Sequence, residues 1–315
     1  MKNLHLLLFS LLFCSIDGAS QIRNGDNSAD IHFAVPIPSR LVHKYTEAIH
    51  PNKSHRNFYD QAILKLPSSY MKSGKPIRLI YCAHGAGGGV TSDNWFINNF
   101  ALVDSLLANG YALFDVNGGK SVENMGGPLV VYSAFQAYKY IRSHYNVEKK
   151  IFVLGLSMGG LSSTNFSFNH PDMVIAQGLY SAVLDLQGQA WDHPWLPTTR
   201  KAISISFNFD DKSGKSWEED KIKGWNPAFK NIKIHGKDTL VRYSVPVKIW
   251  HGNGDAVVPV SASRTFQRYI QNAGGNCVLR EIDSDDHGLS CGNPILNHEL
   301  LLFFGAYDPL FLPVL

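Results

Sequence analysis

Cysteine is scarce in this chain of 315 residues, with 4 in all, and an N-terminal leader would remove Cys14. The remaining Cys82, Cys277 and Cys291 are odd in number, which excludes a complete disulfide framework. A bridge between Cys277 and Cys291 stays open, whereas Cys82 lies inside an apolar run and reads as a core residue. Charge of one sign is also lacking. The formal net charge is +3, with neither a Lys/Arg cluster nor aromatic and basic residues interleaved, so no nucleic-acid partner is expected. Beyond the leader no apolar run is long enough for a membrane-spanning helix, and there are no repeats or low-complexity tracts. What remains is ordinary globular composition, 44% hydrophobic and 17% charged. A chain of this length holds one large domain, or one domain with an insertion, whose core needs no disulfide staples.

The first residues, MKNLHLLLFSLLFCSIDGASQ, run from one Lys through an apolar stretch (Leu4 to Ile16) to the small residues Gly18, Ala19 and Ser20. Too short to span a bilayer in a mature protein, this pattern predicts a signal peptide over 1–20 and a periplasmic or secreted product. Phe13 stands where a lipoprotein would carry a small residue, so cleavage after Ser20 is expected rather than lipid attachment at Cys14. Residues 21–57 show no period and are read as an irregular N-terminal segment, with the main domain over 58–315.

From there strands and helices alternate. Strands are expected at 60–67, 78–85, 111–119, 151–155, 173–183, 245–252 and 277–283. Helices are expected near 98–109, at 130–145, after Ser157 and near 261–273. Such alternation implies parallel strands joined by right-handed crossovers, and the apolar strands imply that both sheet faces are covered. The expected fold is a three-layer α/β sandwich with a mostly parallel central sheet and function at the carboxyl ends of its strands. Residues 187–244 break the rhythm and carry Trp191, Trp195, Trp217 and Trp225. A structureless loop of that length is unusual, so the segment is read as a cap over the site. Its tryptophans either face substrate or fill the cap's own small core.

Three strand ends carry chemistry. IFVLGLSMGG is a strand, a sharp turn and a helix, the context in which Ser157 can present its hydroxyl as a nucleophile. Taken alone, the string could be a glycine-flanked turn. Asp255 follows the strand VKIWHG and His287 follows CVLREID, so the order is nucleophile, acid, base. Each element by itself is weak, since an acid past a strand is commonly a turn or cap residue. The ordered set is far harder to reach by chance. A fourth strand end gives His84, Gly85, Ala86, Gly87, Gly88 and Gly89, a donor loop whose N–H at Ala86 pairs with that of Met158 as an oxyanion hole. His84 is expected to orient this loop. A P-loop is excluded because no Lys-Ser/Thr follows, and a dinucleotide fingerprint because Val90 takes the third glycine's place. Neither HGNGD nor SDDHG has the ligand spacing of zinc, so no metal is expected. Which of Asp285 and Asp286 faces the cleft is open.

Together GLSMGG, HGNGDAVVP, DDHG and HGAGGG resemble the α/β-hydrolase superfamily over roughly residues 58–305. QAILKLPSSY with HGAGGG looks like exported bacterial esterases of the polyhydroxybutyrate-depolymerase and feruloyl-esterase type, and the double glycine after Ser-Met resembles prolyl-oligopeptidase-like catalytic domains. With cleavage expected after Ser20, no room is expected ahead of the Ser157 turn for the large propeller of those peptidases, and HGAGGG replaces their tyrosine-bearing loop. The resemblance implies a Ser157/His287/Asp255 triad, acyl-enzyme chemistry and no cofactor. The expectation is an exported serine carboxylesterase acting on a small-molecule or glycan ester. A peptidase or acyltransferase is the enzymatic alternative, and a hydrolase-fold binding protein the non-enzymatic one.

Overall fold

The computed structural model describes residues 21–22, 29–38, 41, 58–90, 101–119, 124–191, 196–208, 222–229, 231–234, 237–240, 242–287 and 293–308. The leader therefore lies outside the described residues. Eleven strands are described: β1 (Gln21–Ile22), β2 (Ala29–Ile37), β3 (Phe58–Leu66), β4 (Leu79–Ala83), β5 (Ala112–Val116), β6 (Ile151–Leu156), β7 (Val174–Tyr180), β8 (Asn231–Ile234), β9 (Lys237–Leu240), β10 (Val247–Gly252) and β11 (Cys277–Ile282). The α-helices described are α1 (Ala101–Ala108), α2 (Pro128–His144), α3 (Gly159–Asn169), α4 (Leu186–Trp191), α5 (Leu196–Phe207), α6 (Val260–Asn272) and α7 (Pro294–Tyr307).

Nine strands form one sheet in the order β1-β2-β3-β5-β4-β6-β7-β10-β11. The first four pair antiparallel, and everything from β5 to β11 is parallel. Strand periodicity splits the buried residues between two faces. Leu79, Tyr81, Phe114, Val116, Val153 and Ile249 meet α2, α3 and α6 on one side. Ile80, Cys82, Leu113, Phe152, Leu154 and Trp250 meet α1 and α7 on the other. The result is the three-layer, mostly parallel sandwich that the alternation of elements predicts.

Two features differ from the sequence expectation. Residues 21–57 are not irregular throughout, because β2 spans nine residues and pairs along its whole length with β3. It alternates regularly (Val35 and Ile37 buried, His32, Ala34 and Pro36 exposed), and its proline is one that an outer strand tolerates. β3 in turn is buried without a break from Ala62 to Leu66, being flanked on both edges and covered on both faces. The second difference is α7, which periodicity overlooked because its apolar residues lie nearly all round it. Its start was legible: Asn293 accepts from the Ile295 and Leu296 amides, with Pro294 at the first helical position. Cys82 and Cys277 are buried and form no disulfide among the described residues, while Cys291, and with it the Cys277–Cys291 pairing, lies outside them.

Within 187–244 the structure contains most of α4, all of α5, 3₁₀ turns at Lys223–Trp225 and Pro227–Phe229, and the β8–β9 hairpin. The described part is anchored on the elbow. Met158 packs in one cluster with Leu186, Ile203, Phe207, Ile222 and Val258. Asn226 accepts from the Leu186 amide at 3.0 Å and donates to Asp185 at 2.9 Å.

Phe304 on α7 is fully buried and stacks on Phe152 with ring centroids 4.4 Å apart. Phe304→Ala is expected to cost about 3–5 kcal/mol in urea unfolding. Leu302→Ala, on the exposed side of the same helix, is expected to change stability by less than about 0.5 kcal/mol.

Candidate active site

The turn after β6 is built by close approach. Ser157 has φ +52°, a conformation that side chains rarely adopt and that costs on the order of 1–3 kcal/mol. Its amide donates to the Tyr180 carbonyl at 3.0 Å, and its own carbonyl accepts from Gly160 at 2.9 Å and Val183 at 2.8 Å. A Cβ on Gly159 would fall on the Ala83 carbonyl and lie 2.7 Å from that of His84. One on Gly155 would lie 2.6 Å from the Gly159 carbonyl, and one on Gly160 2.5 Å from Ala182 Cβ. The glycines let the start of α3 press against the ends of β4 and β7, and Ser157 is left standing at its N-terminus.

The structure brings Ser157, His287 and Asp255 into one hydrogen-bonded row. His287 Nε2 is 2.9 Å from Ser157 Oγ, and His287 Nδ1 is 2.7 Å from Asp255 Oδ2. Asp255 is buried, and its Oδ1 accepts from the Val257 and Val258 amides at 2.8 and 2.9 Å. Burial pushes its carboxyl pKa upward, but hydrogen bonds from His251, His287 and the Val258 amide outweigh that and hold it well below the usual range. An ionised carboxylate only accepts, so His287 carries its proton on Nδ1 and Nε2 is left to accept from the serine. About a quarter of the His287 side chain (23%) is exposed, so this face of the row opens to solvent.

The acid and base loops are tied to each other. The Asn253 amide donates to the Ile282 carbonyl at 2.8 Å and the Gly254 amide to the Ser284 carbonyl at 3.0 Å. Asn253 also accepts from the Ser284 amide at 3.3 Å. These bonds continue the β10–β11 ladder past its end and set the reach of His287. Asp285 and Asp286 are both exposed on the base loop.

The glycine-rich loop passes over the serine. A Cβ on Gly85 would lie 3.4 Å from Ser157 Cβ, and the turn closes by Gly88 N–H to Gly85 O at 3.1 Å, with Gly87 at φ +78°. Ala86 is exposed at the tip of this turn. Met158 is buried, and its N–H precedes the first turn of α3, whose bonds begin at the Ser157 and Met158 carbonyls. His84 lies beneath the loop with Nδ1 2.8 Å from Asp115 Oδ2, both side chains about 1% exposed. Burial holds the Asp115 carboxyl pKa above its ordinary value, and the contact with His84 offsets only part of that.

Sequence reasoning missed the supporting groups: Asp115, Asn117 (which accepts from the Val90 amide at 2.8 Å), Asp60 and His251. A lone acid inside an apolar strand, at Asp60 and again at Asp115, was a usable signal. Of the four tryptophans, Trp195 and Trp217 and the side chain of Trp191 lie outside the described residues. Trp225 packs on Phe207 with ring centroids 6.3 Å apart, filling the small core of the segment. Among the described residues no His, Cys, Asp and Glu side chains gather into a metal-ligating group.

No protein-family model and no curated protein matches the chain. Solved structures do. The acylaminoacyl peptidase of Pyrococcus horikoshii has a TM-score of 0.61 at 15% identity, over 87% of this chain and 40% of the peptidase. A prolyl endopeptidase gives 0.60 at 14%, over 90% of this chain and 37% of that one. The S-formylglutathione hydrolase of Agrobacterium tumefaciens gives 0.59 at 10%, over 91% and 98%. The chain spans less than half the length of the two peptidases and nearly all of the formylglutathione hydrolase. At these identities the likeness is one of fold: with its strand order and crossovers, the chain has the α/β-hydrolase fold.

Asp60 shows how the loops at this end are held. Its carboxylate accepts from Gly118 at 2.8 Å and Gly119 at 3.2 Å, just past Asn117. Burial pushes its pKa up from 3.8 to about 6. A raised acid favours the folded state below pH 3.8, and that contribution is lost as pH rises through about 6. Urea unfolding at pH 4 and pH 7 is expected to show wild type losing up to about 3 kcal/mol more over this range than Asp60→Asn. Equal slopes for the two proteins would contradict the burial argument.

Proposed function

We propose that the protein is a serine hydrolase, in particular a carboxylesterase working through an acyl-enzyme on Ser157. The observation that carries this reading is the row Ser157 Oγ, His287 Nε2, His287 Nδ1, Asp255 Oδ2, with spacings of 2.9 and 2.7 Å. Ser157 Oγ attacks the ester carbonyl carbon while its proton passes to His287 Nε2. Asp255 holds the ring's orientation and offsets the charge of the imidazolium. The Ala86 and Met158 amides are assigned to the developing oxyanion, aided by the N-terminus of α3. Collapse of the tetrahedral intermediate breaks the bond to the alcohol oxygen, which takes the proton from His287. Water then attacks the acyl-enzyme by the same path, releasing the carboxylic acid and restoring Ser157.

The same row suits amide bonds, and the fold likeness to two peptidases favours a peptidase as the second reading. For the ester reading we place the substrate among acylated or methylated polysaccharides and aryl esters. The leader-like N-terminus supports that by implying export, with the cap as the source of specificity. Trp225, half-buried against Phe207, is the one of the four cap tryptophans whose packing is described.

Ser157→Ala is expected to lower p-nitrophenyl butyrate turnover by at least about a thousandfold and to abolish labelling by a fluorophosphonate probe, with the fold unchanged. His287 is expected to be needed for labelling, and Asp255→Ala to cost a smaller factor. Retained activity in Ser157→Ala would sink the assignment. Esters and peptides compared in one assay separate the two readings.

A further inference from the structure

A second histidine stands behind the acid. His251, the fifth residue of β10, is completely buried. Its Nε2 lies 2.8 Å from the Val258 carbonyl oxygen and 3.4 Å from Asp255 Oδ2, and its Nδ1 lies 2.7 Å from Ser263 Oγ on α6. A carbonyl can only accept, so Nε2 carries a proton. With the ring's proton on Nε2, Nδ1 accepts from the Ser263 hydroxyl. The Nε2–H is shared, its main branch on Val258 and a longer one on the carboxylate. Val258 is thus held twice: its carbonyl by His251, and its amide by Asp255 Oδ1 at 2.9 Å.

We infer that His251, fixed in one tautomer by Ser263, is a positioning residue that locks the Asp255 loop and turns Oδ2 toward His287. The inference rests on the triad reading above. It concerns how that triad is kept in register, since Oδ1 alone, on two backbone amides, would leave the carboxylate free to rock about that end. The charged and titratable groups around the ring are few. Asp255 and, beyond it, His287 lie on one side. Glu281 is its register partner on β11 and is itself paired with Arg264 of α6. β7, on the other edge of β10, brings no charged residue. Removing the Nε2–H therefore leaves Asp255 less neutralised and a stronger partner for the His287 imidazolium. The acid limb of the kcat/KM profile should then move to higher pH, while kcat falls because the carboxylate is no longer pinned.

The test uses the whole protein with p-nitrophenyl butyrate and three variants: His251→Phe, which keeps a ring and loses the donor, His251→Gln, which restores a donor near Nε2, and Ser263→Ala. His251→Phe is expected to lower kcat by about tenfold or more with KM changed less than about twofold, and to raise the acid limb by about half a pH unit. His251→Gln should recover most of both effects. Ser263→Ala should lower kcat about threefold with the limb moving the same way. If wild type shows no Ser157-dependent fluorophosphonate labelling, the triad reading fails, and this inference with it. If wild type is labelled but His251→Phe keeps both its kcat and its acid limb, the positioning role alone is overturned. Should His251→Phe fail to fold, an unchanged kcat and limb in Ser263→Ala overturns it equally.

Discussion

The contact on which the rest of this structure depends is the approach of the start of α3 to the ends of its neighbouring strands. Gly159 lies so close to the Ala83 and His84 carbonyls that a single methyl group has no place there. That closeness forces the chain to turn within one residue, and Ser157 takes the left-handed conformation that results. It also brings the loop after β4 directly over the serine, because the backbone of Ala83 and His84 is what α3 rests on. Ser157 and the glycine-rich loop after β4 are therefore placed by one steric constraint rather than by two independent ones.

Asp255 and His287 arrive by a different route. β10 and β11 pair in register from Val247–Cys277 to Gly252–Ile282, and the bonds of Asn253 and Gly254 carry that pairing into both loops. The sheet thus hands over its regular spacing to Asp255 and His287. Buried polar side chains finish the work at each strand end: Asp115 under His84, Asp60 under Gly118 and Gly119, and His251 under Asp255. Such groups are costly to bury unless paired, so they hold a single arrangement.

Much of this was legible in the sequence for reasons that the structure makes plain. The parallel strands are apolar on both faces, so they stand out as runs, and each chemistry-bearing residue follows one of those runs directly. Glycines at 155, 159 and 160 announced the tight packing that the structure contains. β2 was missed although Ile31, Phe33, Val35 and Ile37 alternate with the exposed His32, Ala34 and Pro36, because a proline within the run argues against a strand unless the strand is an outer one. The amphipathic period fails for α7, since a helix with its apolar residues all round has no polar face to mark it. Supporting residues were illegible for another reason. His251 acts through partners 4 to 12 positions away with no local pattern to connect them, whereas Asp115, alone in an apolar strand, was marked but its partner His84, 31 positions away, was not.

The central claim is that Ser157, raised by the turn after β6 and paired with His287, forms a covalent bond to the acyl group. Rapid acid quench of the wild-type protein during the first turnover of p-nitrophenyl butyrate, followed by peptide mass mapping, tests it most directly. The account predicts a burst of nitrophenol close to one per active site, with the butyryl group on the peptide that contains Ser157. A first turnover without that adduct, or with the acyl group on another residue, would contradict it.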